Sequence, residues 1–178
     1  RKNPPCKPGL EKIGFIFPPE TLNPAPHGIL STWALKALLP AETGLAERDA
    51  TQIAFALGGH HGAWPTTDRV QSSTLSPSDK GSGLWDTARK ELVQGLKEFY
   101  QPTVAHLPAG QAELNTFLTL FSGLVSVADW IGSMADKFPF VDDYMPAEKY
   151  VLEIARPQAK TALEKLGYHD TVRAKDAD

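Results

Sequence analysis

Two histidines stand side by side between glycines in Gly58-Gly59-His60-His61-Gly62, with His27-Gly28 upstream and Asp129 downstream in Val127-Ala128-Asp129-Trp130-Ile131. Three imidazoles and a carboxylate form a donor set of intermediate softness, which predicts a site for Mn, Fe, Co, Ni or Zn rather than Ca. The single cysteine, Cys6, excludes both a thiolate cluster and an internal disulfide. Neighbouring residues of a regular helix point about 100° apart, so His60 and His61 need a glycine-flanked turn to face one ion together. Asp129 falls in an apolar stretch, where an ionised carboxylate is costly unless a cation or several donors compensate it.

The elements that must position these groups read as helices. Residues 1–26 hold seven prolines and predict an extended or turning lead-in, with Ile13 to Phe17 as its apolar anchor. From His27, the spacing of Ile29, Leu30, Trp33, Ala34, Ala37 and Leu38 predicts a helix ended by Pro40, which puts His27 at a helix start. A second helix is expected from Ala46 to Leu57, with Ile53, Ala54 and Leu57 on one face and Gly58-Gly59 as a left-handed stop. Residues 62–83 predict a long loop, mobile from Ser72 to Gly83. Leu84 to Tyr100 predicts a helix closed by Pro102, and Leu114 to Met134 a central buried helix that carries Asp129. A last helix, Ala147 to Leu166, is interrupted near Pro157, and residues 168–178 form a polar tail. Two-residue alternation is scarce, so the fold class is all-α.

Composition sets wider bounds. The chain has 178 residues with 42% hydrophobic content, enough for one globular domain with a real core. A net charge of -3 gives no general basic surface, so any nucleic-acid contact is local. No stretch reads as apolar over the length needed to cross a bilayer, and the expected location is the cytoplasm. The start, Arg1-Lys2-Asn3-Pro4-Pro5, without Met or an apolar signal core, predicts a processed or excerpted polypeptide.

The order His27-Gly28, then Gly59-His60-His61-Gly62 with Pro65, then Leu124-Val125-Ser126-Val127-Ala128-Asp129-Trp130-Ile131-Gly132-Ser133 resembles the HD nuclease domain of the type I CRISPR-associated nuclease-helicase. The likeness spans about residues 26–165. It implies an all-α HD-domain bundle with a two-metal centre that cuts single-stranded DNA. The strand would be fed by a helicase domain, in the same or a partner chain, after a target-recognition complex opens the duplex. By motif match, His27, His60 and His61 would hold one metal and Asp129 would help hold the other, with His60, His61 and Asp129 at the reacting centre. The family's upstream histidine and His-Asp dyad have no counterpart ahead of His27. The one His-Asp pair is His169-Asp170, at the far end. A two-metal mechanism wants a bridging carboxylate, so the chain alone is expected to bind metal weakly and cut slowly or not at all, and to self-associate through an uncovered apolar face.

Two other readings stand beside this one: a non-catalytic interaction module that keeps the HD fold, and an HD phosphohydrolase for nucleotides, which would want a closed pocket. Trp130 reads as packing, Ser133 as a buried hydroxyl bonded to its own helix, and His106 and His169 as surface residues. Arg69, Lys80, Arg89 and Lys90 read as a solvated face rather than a DNA-backbone contact.

Overall fold

The computed structural model describes residues 6–17, 24–81, 83–103, 106–139, 141 and 145–168. Among these residues the regular structure is helical, without a strand, as expected of an all-α HD-domain bundle. The chain forms two compact units, Arg1–Val125 and Ser126–Asp178. His169 and Asp170 lie outside the described residues.

In the first unit the proline-rich lead-in is not wholly extended, because Cys6–Lys12 forms a helix, α1. Pro8 is its third residue, in the first turn, where a backbone N–H has no intrahelical partner to lose. The anchor is aromatic: Phe15 and Phe17 meet the Trp85 ring edge-on at 4.8 and 5.4 Å, and Trp85 Nε1 donates to Ile16 O at 3.0 Å. Ile13 and Ile16 stay exposed.

Helix α2, His27–Thr43, begins at His27 as expected but runs through Pro40. A proline this close to a helix end removes one donor while the last turn still closes. Thr43 Oγ1 donates to Leu39 O at 2.6 Å, and the Gly44 N–H reaches Pro40 O with Gly44 at φ 76. Helix α3, Glu47–Gly58, buries Ala50, Ala54, Ala56 and Gly58. Of the face anticipated from sequence only Ala54 is buried, Ile53 and Leu57 being half-buried. Small side chains win the inner face because α2 and α3 pack almost backbone to backbone. A Cβ on Gly28 would overlap Gly58 O, and one on Gly58 would overlap Thr32 Oγ1 and lie 2.6 Å from Gly28 O. Thr32 is fully buried between the helices, its hydroxyl 2.8 Å from Gly28 O and 3.1 Å from Ala54 O.

The segment expected as a plain loop after residue 62 contributes to the core. Val70 and Leu75 are buried with Ile29, and Ala25, Leu30, Trp33 and Phe55 pack around them. It also holds a short helix, α4, Pro77–Lys80, opened by a capping box. Ser76 Oγ accepts from the Asp79 N–H at 3.1 Å, while Asp79 Oδ2 accepts from the Ser76 N–H at 3.2 Å. The other Asp79 oxygen accepts from the Ala25 N–H at 3.0 Å, tying α4 to the residues just ahead of His27. Helix α5, Leu84–Tyr100, ends as anticipated just before Pro102, with Gln101 left-handed at φ 45. Lys97 Nζ donates to Glu42 O at 2.7 Å, linking α5 to α2. Arg89 is a fold residue, bonded to Lys80 O and Asp86 and lying over the Trp33 ring at 5.5 Å.

Helix α6, Gln111–Gly132, crosses the boundary between the units. It buries one stripe at four-residue steps, Leu114, Leu118 and Ser122, the first two against Ala56 with Leu107 and Phe121. It is therefore not buried all round: Phe117, Leu120, Leu124 and Trp130 are exposed. It has 22 residues and an 18-residue window of mean hydropathy 1.3, so it is long and apolar enough to cross a bilayer by length and composition, contrary to the sequence expectation. A core helix of the kind that packs Leu114 and Leu118 meets the same criteria.

The second unit continues with α7, Ala147–Tyr150, a π-helical stretch, Val151–Ala155, and α8, Arg156–Lys165. The expected interruption near Pro157 thus takes the form of a widened turn, in which the Arg156 N–H bonds to Val151 O, five residues back. That register lets the chain pass a residue without an N–H and remain helical.

The seam between α2 and α3 can be probed by substitution. Gly58→Ala is expected to lose roughly 1–3 kcal/mol through overpacking. Gly123→Ala, where a Cβ meets nothing within 4 Å, should gain roughly 0.5–1 kcal/mol in α6. Urea unfolding of both variants checks this, and equal effects would contradict the close contact. The Asp79 carboxyl is held below its ordinary value by the Ser76 side chain and then by the Ala25 N–H. Its contribution to stability is therefore complete above the ordinary carboxylate value and is lost as pH falls through the depressed folded value. Asp79→Asn should flatten the acid limb of a stability-versus-pH curve, and an unchanged limb would refute the clamp.

Candidate metal centre

His27 is the first residue of α2, and His60 follows the end of α3 by one residue beyond Gly59. The Gly28–Gly58 contact brings these two helix ends together, so residues 33 positions apart become neighbours. The turn after α3 is not the left-handed stop expected of Gly59, which has φ -85. The left-handed residue is Gly62, at φ 87, and the Gly62 N–H closes the turn on Gly59 O at 2.9 Å. Gly59 is needed for space, because a Cβ there would overlap the Trp64 indole. Within this turn the rings of His60 and His61 stand 4.3 Å apart between centroids, with both facing His27 at 5.0 and 4.6 Å.

The ring nitrogens converge. His27 Nε2 lies 2.9 Å from His60 Nε2 and 2.8 Å from His61 Nε2, and one ligand atom from each of the three residues falls within 4.8 Å of the others. His60 is buried and its two partners are exposed. His60 Nδ1 donates to Leu57 O at 2.5 Å. With the proton of the neutral ring on Nδ1, Nε2 presents its lone pair to the cluster. His27 Nε2 has at most one proton to share between two facing nitrogens, so the neutral trio cannot satisfy both contacts by hydrogen bonding. A cation resolves that conflict. Two nitrogens each about 2.0–2.1 Å from one ion and at a right angle would be about 2.8–3.0 Å apart, which matches the two separations at His27 Nε2, while the trio as a whole spans up to 4.8 Å. The residues present therefore fit a divalent transition metal.

Asp129 is placed on the last turns of α6, half-buried, and belongs to the second unit. The cluster of ligand atoms contains the three histidines and not Asp129. Trp130, expected as packing, is 63% exposed, and Ser133, expected as buried, is exposed as well. His106 is exposed, as read from sequence. Two contributors were not singled out from sequence. The Leu57 carbonyl fixes the His60 tautomer, and Thr32 fills the seam behind the site. The only trace of them in sequence is the pairing of each ligand with a glycine, His27-Gly28 and Gly59-His60.

An all-helical chain that gathers imidazoles from one helix start and from the turn after the next helix has the arrangement expected of an HD-type domain. Comparison with known proteins agrees: the family described as "Cas3, HD domain" matches residues 1–138. The chain is 33% identical over 163 residues to the CRISPR-associated endonuclease/helicase Cas3 of Thermus thermophilus, covering 89% of this chain and 17% of that relative. A solved structure described as a CRISPR-associated protein superposes with a TM-score of 0.77 at 34% identity, over 97% of this chain and 18% of the other. The chain belongs to the family of Cas3 HD domains, and it spans less than a fifth of the length of these relatives.

Substituting His27 or His60 by Ala removes one of three converging donors. Cobalt binding, followed by visible absorption, is expected to weaken at least about tenfold in either variant. Unaltered titration curves would show that the trio is not a metal site.

Proposed function

We propose that this chain is a metal-dependent nuclease domain that hydrolyses phosphodiester bonds of single-stranded DNA in CRISPR-directed antiviral defence. It would act in the cytoplasm beside a helicase domain, in the same or a partner chain, once a target-recognition complex has opened the duplex. The observation that carries this reading is the convergence of three imidazole nitrogens within 4.8 Å in a chain of the Cas3 HD family.

In this reading His27, His60 and His61 hold one divalent ion, Mn, Fe, Ni or Co, and Asp129 contributes to a second. Bound metal supplies an acidified water and charge stabilisation for the phosphodiester. The chain's own residues do the rest. The Leu57 carbonyl accepts a hydrogen bond from Nδ1–H and keeps the His60 lone pair directed at the cluster. The buried His60 is shielded from water, while His27 and His61 are exposed. That exposure supports a polymer strand as substrate over a free nucleotide, which would need an enclosed pocket.

Manganese- or nickel-dependent cleavage of a circular single-stranded DNA tests the proposal, run beside the His60→Ala, His61→Ala double variant. Slow cutting that needs metal and disappears in the double variant is the expected result. Cutting that persists in the double variant would refute the assignment of these histidines. Stoichiometric metal binding without cutting would favour a non-catalytic module of the same fold, and hydrolysis of nucleotides alone would favour a phosphohydrolase.

A further inference from the structure

Two of the chain's four tryptophans have evident places. Trp33 is half-buried against the Ile29, Val70 and Leu75 cluster with Arg89 over its ring. Trp85 is held by Phe15, Phe17 and Ile16 O. Trp130 stands on α6 in the second unit and is 63% exposed. Trp64 is different, because it follows His60 by four residues and His61 by three in the turn that presents both rings.

Its indole sits so close to Gly59 that Cδ1, Nε1 and Cγ all crowd the position a Cβ would take there. The next residue, Pro65, does the same at Gly58, with its Cγ 3.1 Å from where a Cβ would be. The two residues are thus seated on the two glycines that lead into His60. Yet Trp64 remains 42% exposed, so the seat covers only part of the ring. A large aromatic surface, held in place by backbone and open to solvent beside the ligand turn, is poorly explained by packing alone. Every nucleobase offers a π-face to such a surface, and a ring that is already fixed loses little freedom when it stacks.

We propose that Trp64 is a stacking platform for a nucleobase of the strand presented to the histidines, positioning that strand at the metal centre. The inference rests on the nuclease reading. It assigns Trp64 a binding role, with no part in proton transfer or metal ligation.

The test compares wild type, Trp64→Leu and Trp64→Phe. Each is titrated with manganese present against a fluorescein-labelled phosphorothioate oligothymidylate, which resists hydrolysis, and against an abasic strand of the same backbone and length. Wild type should prefer the base-bearing strand. Trp64→Leu should lose roughly 5- to 100-fold in affinity for it, the range of one base–aromatic stack, with little change on the abasic strand, and Trp64→Phe should retain most of the preference. Cobalt titration should be the same for all three. Equal losses on both strands, or none, would overturn the proposal. If Trp64→Leu loses cobalt binding through misfolding, the wild-type comparison decides, since equal affinity for the two strands excludes stacking. Failure of wild type to bind either strand would remove the nuclease reading itself and this inference with it.

Discussion

The close approach of α2 and α3 at Gly28 and Gly58 is the constraint on which the candidate site depends. Each glycine occupies space that a single methyl group on the other helix would take, and each stands within two residues of a proposed ligand. The contact works because the inner face of α3 is otherwise alanine, and because Thr32 fills the remaining gap with a hydroxyl bonded across the seam. Backbone-to-backbone packing leaves little slack. An overpacked seam can only separate the helix ends, and the helix ends carry His27 and His60.

From that seam the chemistry is set by which atoms carry protons. The last carbonyls of a helix have no intrahelical partner, and Leu57 O uses this freedom to accept a hydrogen bond from His60 Nδ1–H. The turn after α3 therefore delivers an imidazole whose orientation and tautomer are both fixed. His61 follows in the same turn but is exposed, which leaves the cluster closed on the His60 side and open on the other. A site with that asymmetry can hold an ion against bulk water on one side while a long substrate reaches it from the other.

The segment from residue 62 to 81 supports the same arrangement from outside. Val70 and Leu75 reach the core around Ile29, and Asp79 ties the Ala25 N–H to the capping box of α4. The entry to α2 is thus held by a charge-assisted hydrogen bond two residues before His27. A chain that leaves the ligand turn at Gly62 returns to brace the helix that supplies the third ligand.

Much of this was legible in the sequence. The period of the apolar residues gave helices at α2, α3, α5 and α6, and donor types with their flanking glycines singled out His27, His60 and His61 before any geometry was known. Local signals were weaker guides to how elements end. Pro40 does not stop α2, because near a helix end the loss of one donor is tolerated. Pro157 widens a turn rather than breaking it, and Gly59 is required for space rather than for a left-handed angle. Apolar spacing also overstated the burial of α6, because periodicity shows that a helix has an apolar face without showing what covers it. What tertiary structure alone decided is which distant atoms meet. That Gly28 lies against Gly58, that Trp64 is seated on Gly59, and that three imidazole nitrogens face one another all depend on contacts between residues far apart in sequence or across a turn. Such contacts follow from the packing of whole helices, so no local pattern of residues encodes them.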